Sequence, residues 1–195
     1  VKHTLKANLN VMNMEAMVSS TQVARVIDVN EAGDYTVESS TENSKVVVGG
    51  QEMDQGVPSS IVVYDAKGEV KKFSGEPDAD EYRYYRLLNW HSPDGEKKVG
   101  DKWTLDLPGD AKVGSVNLKG DYEFVSEEKV DDTDVIKIKF NLKETEGAEP
   151  AGHEGTIWLR KGDFEVFKAS GKWNAVPIPK AGIAASGTYE LNIVK

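Results

Sequence analysis

The chain contains no cysteine among its 195 residues. Disulfides, thiolate nucleophiles and zinc-thiolate centres are therefore excluded, and cysteine usage leaves the redox compartment undetermined. Positive charge is also scarce, with 24 basic against 33 acidic residues and a net charge of -9. That balance repels the phosphates of nucleic acids and anionic lipid headgroups alike, so no nucleic-acid partner is expected. No apolar run approaches the roughly 20 residues needed to cross a bilayer as a helix. A soluble domain without a transmembrane segment is expected. Histidine is rare too, at three residues.

What is present is ordinary for a folded domain: 38% hydrophobic and 29% charged residues, with 18 glycines. The length suits one hydrophobic core, and residues 1–195 are read as a single β-rich domain. The chain opens at Val1, directly into an alternating pattern. We read this as a leader removed, hence an exported protein of the periplasm or cell envelope, with a possible lipid anchor upstream of the fragment.

Two-residue periodicity dominates. Leu5, Ala7, Leu9 and Val11 alternate with Lys6, Asn8 and Asn10. Ile136, Ile138, Phe140 and Leu142 alternate with Lys137, Lys139, Asn141 and Lys143, a pattern no helix produces. Further strands are expected over Val23 to Val29, Asp34 to Glu42 with a continuation over Ser44 to Val48, and Lys102 to Leu107. Gly187 to Val194 supplies a last one. Hairpins are expected around Asp65 to Gly68, around Asp131 to Asp134, and between Thr156 to Arg160 and Phe164 to Ala169. Gln51 to Ser60, with Gly56 and Pro58, and the polar stretch Glu144 to Glu154 read as loops.

One helix is predicted, from Asp78 to Asn89, with Asp80 and Glu81 complementing the dipole of its first turn. Tyr84, Leu87, Leu88 and Trp90 follow at three-to-four spacing. About ten to twelve strands and one helix fit a mainly β fold: a single large, strongly curved antiparallel sheet, a half-barrel or open barrel, with the helix against its concave face. Gly33-Asp34-Tyr35, Gly120-Asp121-Tyr122 and Gly187-Thr188-Tyr189 share a glycine-polar-tyrosine strand entry at irregular intervals, so they define no repeat.

Catalytic signatures are weak. His3 at the terminus and His153 in the polar loop are expected to be solvated, and His91 to cap the helix end. Asp131, Asp132 and Asp134, and likewise Asp78, Asp80 and Glu81, offer oxygen ligands without the spacing of a metal site. The stretch from Asp28 fails as an EF-hand, with Ala32 at a ligand position and Ser39 where the bidentate glutamate belongs. No nucleophile elbow, phosphate-cradling loop or zinc-protease helix occurs. No catalytic residue, metal ligand or cofactor is assigned.

The aromatic residues are more informative. Tyr82, Tyr84, Tyr85 and Trp90 cluster around the helix, while Trp103, Trp158 and Trp173 lie in strands. Core packing accounts for them, and so does an apolar pocket between helix and sheet. At Val99-Gly100-Asp101-Lys102-Trp103, then Gly155-Thr156-Ile157-Trp158-Leu159 and the Gly162 turn, the chain resembles a loose group of uncharacterised bacterial exported proteins and lipoproteins. Their architecture is similar to the half-barrel of lipoprotein carriers such as LolA and LppX, whose curved sheet and helical lid hold acyl chains. The resemblance implies a non-enzymatic cell-envelope domain, a monomer binding an apolar small molecule or lipid. Tyr84, Leu87, Leu88 and Trp103 are the expected lining. A structural or interaction module with a filled core is the alternative.

Overall fold

The computed structural model describes residues 1–53, 59–147 and 149–194. Among these residues twelve strands form one antiparallel sheet that is not closed, and one helix lies over it. The chain starts in the middle of the sheet. β1 (Lys2–Val11), β2 (Met14–Val29), β3 (Tyr35–Val48), β5 (Ser59–Tyr64) and β6 (Val70–Phe73) meander to one edge, with β4 (Gln51–Met53) paired to the far end of β3. The helix α1 (Ala79–Leu88) then carries the chain to the opposite edge. From there β7 (Lys102–Leu107), β8 (Leu118–Val130), β9 (Thr133–Glu144), β10 (Gly152–Arg160), β11 (Val166–Ile178) and β12 (Ile183–Ile193) run back until β12 pairs with β1.

Local chemistry sets the tight turns. Met12 and Asn13 have φ of 52° and 62°, and Asp131 and Asp132 have 47° and 63°, the doubly left-handed geometry whose twist matches flanking strands. Gly49 and Gly50, at 57° and 83°, do the same between β3 and β4. Asn43, at φ 50°, sits where β3 slips its register against β2, so the two expected pieces of this strand are one strand with a bulge.

Several boundaries differ from expectation. Thr133 and Asp134 belong to β9, leaving a two-residue turn. Phe164 is no strand residue: it is left-handed at φ 57° and exposed in the turn before β11. The polar stretch after β9 is not wholly exposed, since Glu144 and Ala151 are buried and β10 already includes His153 and Glu154. Ala151 and Gly152 continue the pairing that hydrophobicity did not announce. Of the loop expected over Gln51 to Ser60, Gln51–Met53 is strand β4 and Ser59 and Ser60 begin β5, because both pair with β3, while Gly56 and Pro58 lie outside the described residues.

Register aligns rows of side chains across the concave face. One row runs Phe140, Gly155, Gly171, Tyr189, Ala7. The next runs Leu142, His153, Trp173, Gly187, Leu9. Large rings therefore sit beside glycines in both rows, and the missing side chains leave the strands room to curve beneath the rings. A Cβ on Gly171 would stand 2.2 Å from the Glu154 carbonyl oxygen, and one on Gly155 2.3 Å from that of Ser170.

Two buried clusters result. The larger gathers Leu118, Leu142, Leu159, Val176 and the rings of both rows against Leu87. The smaller, Val62, Tyr64, Val70 and Phe73, packs on Tyr82 and Tyr85 from the other flank of α1. Gly171→Ala is expected to cost about 1–3 kcal/mol, because backbone rather than a flexible side chain blocks the methyl. Gly152→Ala, whose Cβ would meet nothing closer than 3.5 Å, is expected to stay within about 0.5 kcal/mol of the parent. Denaturant midpoints of the two variants check this.

Candidate functional site

The helix that crosses the sheet is short and carries four charged side chains in ADEYRYYRLL, so polar anchors hold it in place. At its start the Asp78 carboxylate accepts from Glu81 N–H at 2.7 Å and from Lys180 N–H at 3.1 Å, capping the helix and tying it to the loop before β12. Arg83 makes a two-pronged pair with Glu144, at 2.8 and 2.7 Å, and Glu144 also accepts from Ala151 N–H. The fully engaged Arg86 donates to Glu69 at 2.6 Å and to the carbonyls of Val116 and Pro108. Burial pushes the Glu69 carboxyl up, against the pull of Arg86. At the far end Asn89 donates to the Gly68 carbonyl, and His91 Nε2–H to that of Arg86.

All three histidines are buried. His91 caps the helix end, as expected. His3 and His153 are corrections: both were expected in solvent, but alternation places His3 on the buried side of β1, and the early start of β10 places His153 beneath the helix. His3 donates to the Val166 carbonyl at 2.6 Å. His153 Nδ1 lies 2.9 Å from the Leu87 carbonyl, which can only accept, so Nδ1 carries the proton and Nε2 accepts from the Tyr189 hydroxyl at 2.7 Å. Both ring nitrogens are thus committed to structure. Burial holds the His153 ring well below its usual value, at about 4, and lowers His3 and His91 also.

Between α1 and the sheet lies a cavity of about 260 Å³. Tyr84, Leu88 and Trp90 roof it, while Tyr122, Phe140 and Trp173 supply ring walls and Ile157, Ala169 and Leu191 the floor. Its polar edges are Gln22, Asn89 and the His153–Tyr189 pair. Sequence reasoning named two of these wall residues, Tyr84 and Leu88. Leu87 is instead fully buried in the main cluster, and Trp103 stands one ring behind the wall, stacked on Tyr122 at 5.3 Å. Trp158 is on the convex face, 5.3 Å from both Lys137 and Lys168 and bonded to Glu128. Tyr82 packs on Phe73 in the smaller cluster. The missed wall residues Tyr122, Trp173 and Tyr189 carry an available signal: each stands on the inward phase of a long alternating strand, next to a glycine of its own or the neighbouring strand.

The arrangement offers shape and apolar contact rather than reactive groups. Among the described residues no group of three His, Asp or Glu side chains is placed to hold a metal ion. Nor is any described helix long and apolar enough to cross a membrane. Asp131 and Asp132 form a turn, and Asp78 is a helix cap, so these carboxylates have local tasks.

Two outcomes are expected. Arg83→Met leaves Glu144, 3% exposed, without its cation, and should cost about 3–5 kcal/mol; adding Glu144→Gln should recover most of that loss in denaturant unfolding. In the unfolded chain the His153 ring titrates at 6.5 and in the fold at about 4, so the unfolded state takes up the extra proton in between. Stability should fall as pH drops from 6.5 and level off below about 4, a loss near ~3 kcal/mol from this residue. In melting curves across that range, His153→Gln should flatten the slope.

No protein-family model and no curated protein matches the chain. Among solved structures it is similar to a Bacteroides fragilis protein described as a "putative exported protein with YmcC-like fold", at 14% identity and a TM-score of 0.38. That alignment covers 100% of this chain and 95% of the other.

Proposed function

We propose that this protein is a non-enzymatic cell-envelope domain that binds a small apolar group between its helix and the concave face of its sheet. The cavity under Tyr84 and Leu88 carries this reading. Its wall is mostly aliphatic and aromatic, it adjoins a rigidly anchored roof, and the histidine in its wall, His153, stays neutral at ordinary pH. Ligand pockets have this composition: extensive apolar surface with a few fixed polar groups at the edge.

The size limits the occupant. A volume of 260 Å³ lies just below the range of about 300–1,000 Å³ found for small-molecule sites. One short chain or ring system fits, and a bundle of acyl chains does not. On this reading the resemblance to lipoprotein carriers such as LolA and LppX is one of outline and of apolar binding, with a smaller cargo. Export to the periplasm or cell envelope, a single-domain organisation and a monomeric state belong to the same proposal.

Native mass spectrometry with solvent extraction of the purified protein is expected to find an apolar molecule. After its removal, an alkyl probe such as octanol should bind, and Leu88→Trp, which fills the cavity from its roof, should weaken that binding about tenfold or more without unfolding the protein. Absence of any bound molecule, together with no probe binding, would favour the interaction module with a filled core.

A further inference from the structure

Beside the cavity, on the other flank of Tyr84, lies a trough of about 500 Å³. The two spaces share Gln22, Tyr84 and Trp173 as walls. Resting on the reading of the concave face as a ligand site, we propose that the ligand is an amphiphile with an uncharged, polyhydroxylated head of sugar type, its head in the trough and its apolar part in the cavity.

The first argument is a break in the side-chain pattern. On β1 and β8 to β12 the large concave side chains are mostly Leu, Phe, Tyr, Trp and Ile. In the middle of β2, β3 and β5, between apolar positions such as Val18 and Val62, the same face carries hydroxyls and an amide: Ser20 opposite Leu5, Gln22 opposite Thr41, and Ser39 opposite Ser60. A face that only filled a core would hold apolar residues there, because each buried polar group without a partner destabilises the fold. Here the polar positions line the trough, with Ser20 and Thr41 bonded through Gln22.

The second argument is hydrogen-bonding capacity. Gln22 donates to Ser20 Oγ at 2.9 Å and accepts from Thr41 Oγ at 3.1 Å. That orientation leaves the Ser20 hydroxyl its proton to donate and the Thr41 oxygen its lone pairs to accept. The Tyr84 side chain stands at the junction of the two spaces. Trp173, only 8% exposed and a wall of both spaces, has an indole N–H without a partner. A head whose every hydroxyl both donates and accepts complements such a mixed surface, and its C–H faces suit the rings of Tyr84, Tyr85 and Trp173.

The third argument is charge. The charged side chains on the trough wall are Glu81 and Lys180, which face each other at 3.6 Å. Arg83 and Arg86, the nearby helix cations, are committed to Glu144 and Glu69. Among the described residues no free cation lines the trough to receive a phosphate or carboxylate head, and an anion there would meet the net charge of -9.

Calorimetric titration of four probes below their micelle concentrations tests this: octyl glucoside, octyl phosphate, octanoate and octanol. Octyl glucoside is expected to bind at least tenfold more tightly than either anion and than octanol. Ser39→Val/Ser60→Val should bring the glucoside to the affinity of octanol while leaving octanol unchanged. Circular dichroism monitors the fold, and Ser39→Ala/Ser60→Ala substitutes should the valines disturb it. Equal or tighter binding of octyl phosphate or octanoate, a glucoside no tighter than octanol, or alanine variants that keep the full glucoside preference would each overturn the proposal. Those results would leave the apolar site standing, provided octanol binds. Failure of octanol itself overturns both readings.

Discussion

The connection between the two edges of the sheet governs this molecule. The chain leaves one edge at β6 and must reach the other at β7, and the route across the concave face is the helix. Leu87 and the tyrosines of its ten residues pack on both buried clusters. Charge pairing adds a second tie. Arg83 reaches Glu144 at the end of β9, and Arg86 reaches Glu69 beside β6, so one helix is bound to both halves of the sheet. Arginine suits this task because its planar donors bridge a carboxylate in two places and stay charged when buried.

A roof held at its ends cannot sink onto the floor. That rigidity, with glycines that let the strands curve under large rings, leaves space between helix and sheet rather than a closed core. The space is divided by Tyr84, whose ring contacts Tyr85 at 5.4 Å on one side and Trp173 at 6.4 Å on the other. Apolar and polar compartments thus meet at one residue, and the proposed ligand inherits its two-part character from that division.

Much of this was legible in the sequence. Alternation gave the strands, their inward faces and the open curved sheet, and Asp78 with its acidic neighbours gave the helix start. What failed was information stored across strands. His153 looks like a loop residue because Glu144, Glu154 and the glycines between make the segment polar, and only pairing with Leu142 and Trp173 buries it. Glu144 reads as a solvated loop start until Arg83 is placed opposite. Leu87 and Leu88 are adjacent on one helix face, and local spacing could not tell which enters the core and which faces the space. Trp103 and Trp158 illustrate the same limit, since a strand tryptophan packs on whichever face the register assigns.

The pairing of β1 with β12 has a consequence for how the molecule is assembled. The first and last strands are neighbours at the centre of the sheet, so the half built from residues 2–73 and the half built from residues 102–178 have no strand-to-strand contact until residues 183–193 are inserted. Until then each half presents a long, unsatisfied backbone edge, the kind of surface that recruits foreign strands. Pairing segments so far apart in sequence also makes the final zipping slow. The emerging chain therefore depends on being kept apart from its copies until its last strand arrives.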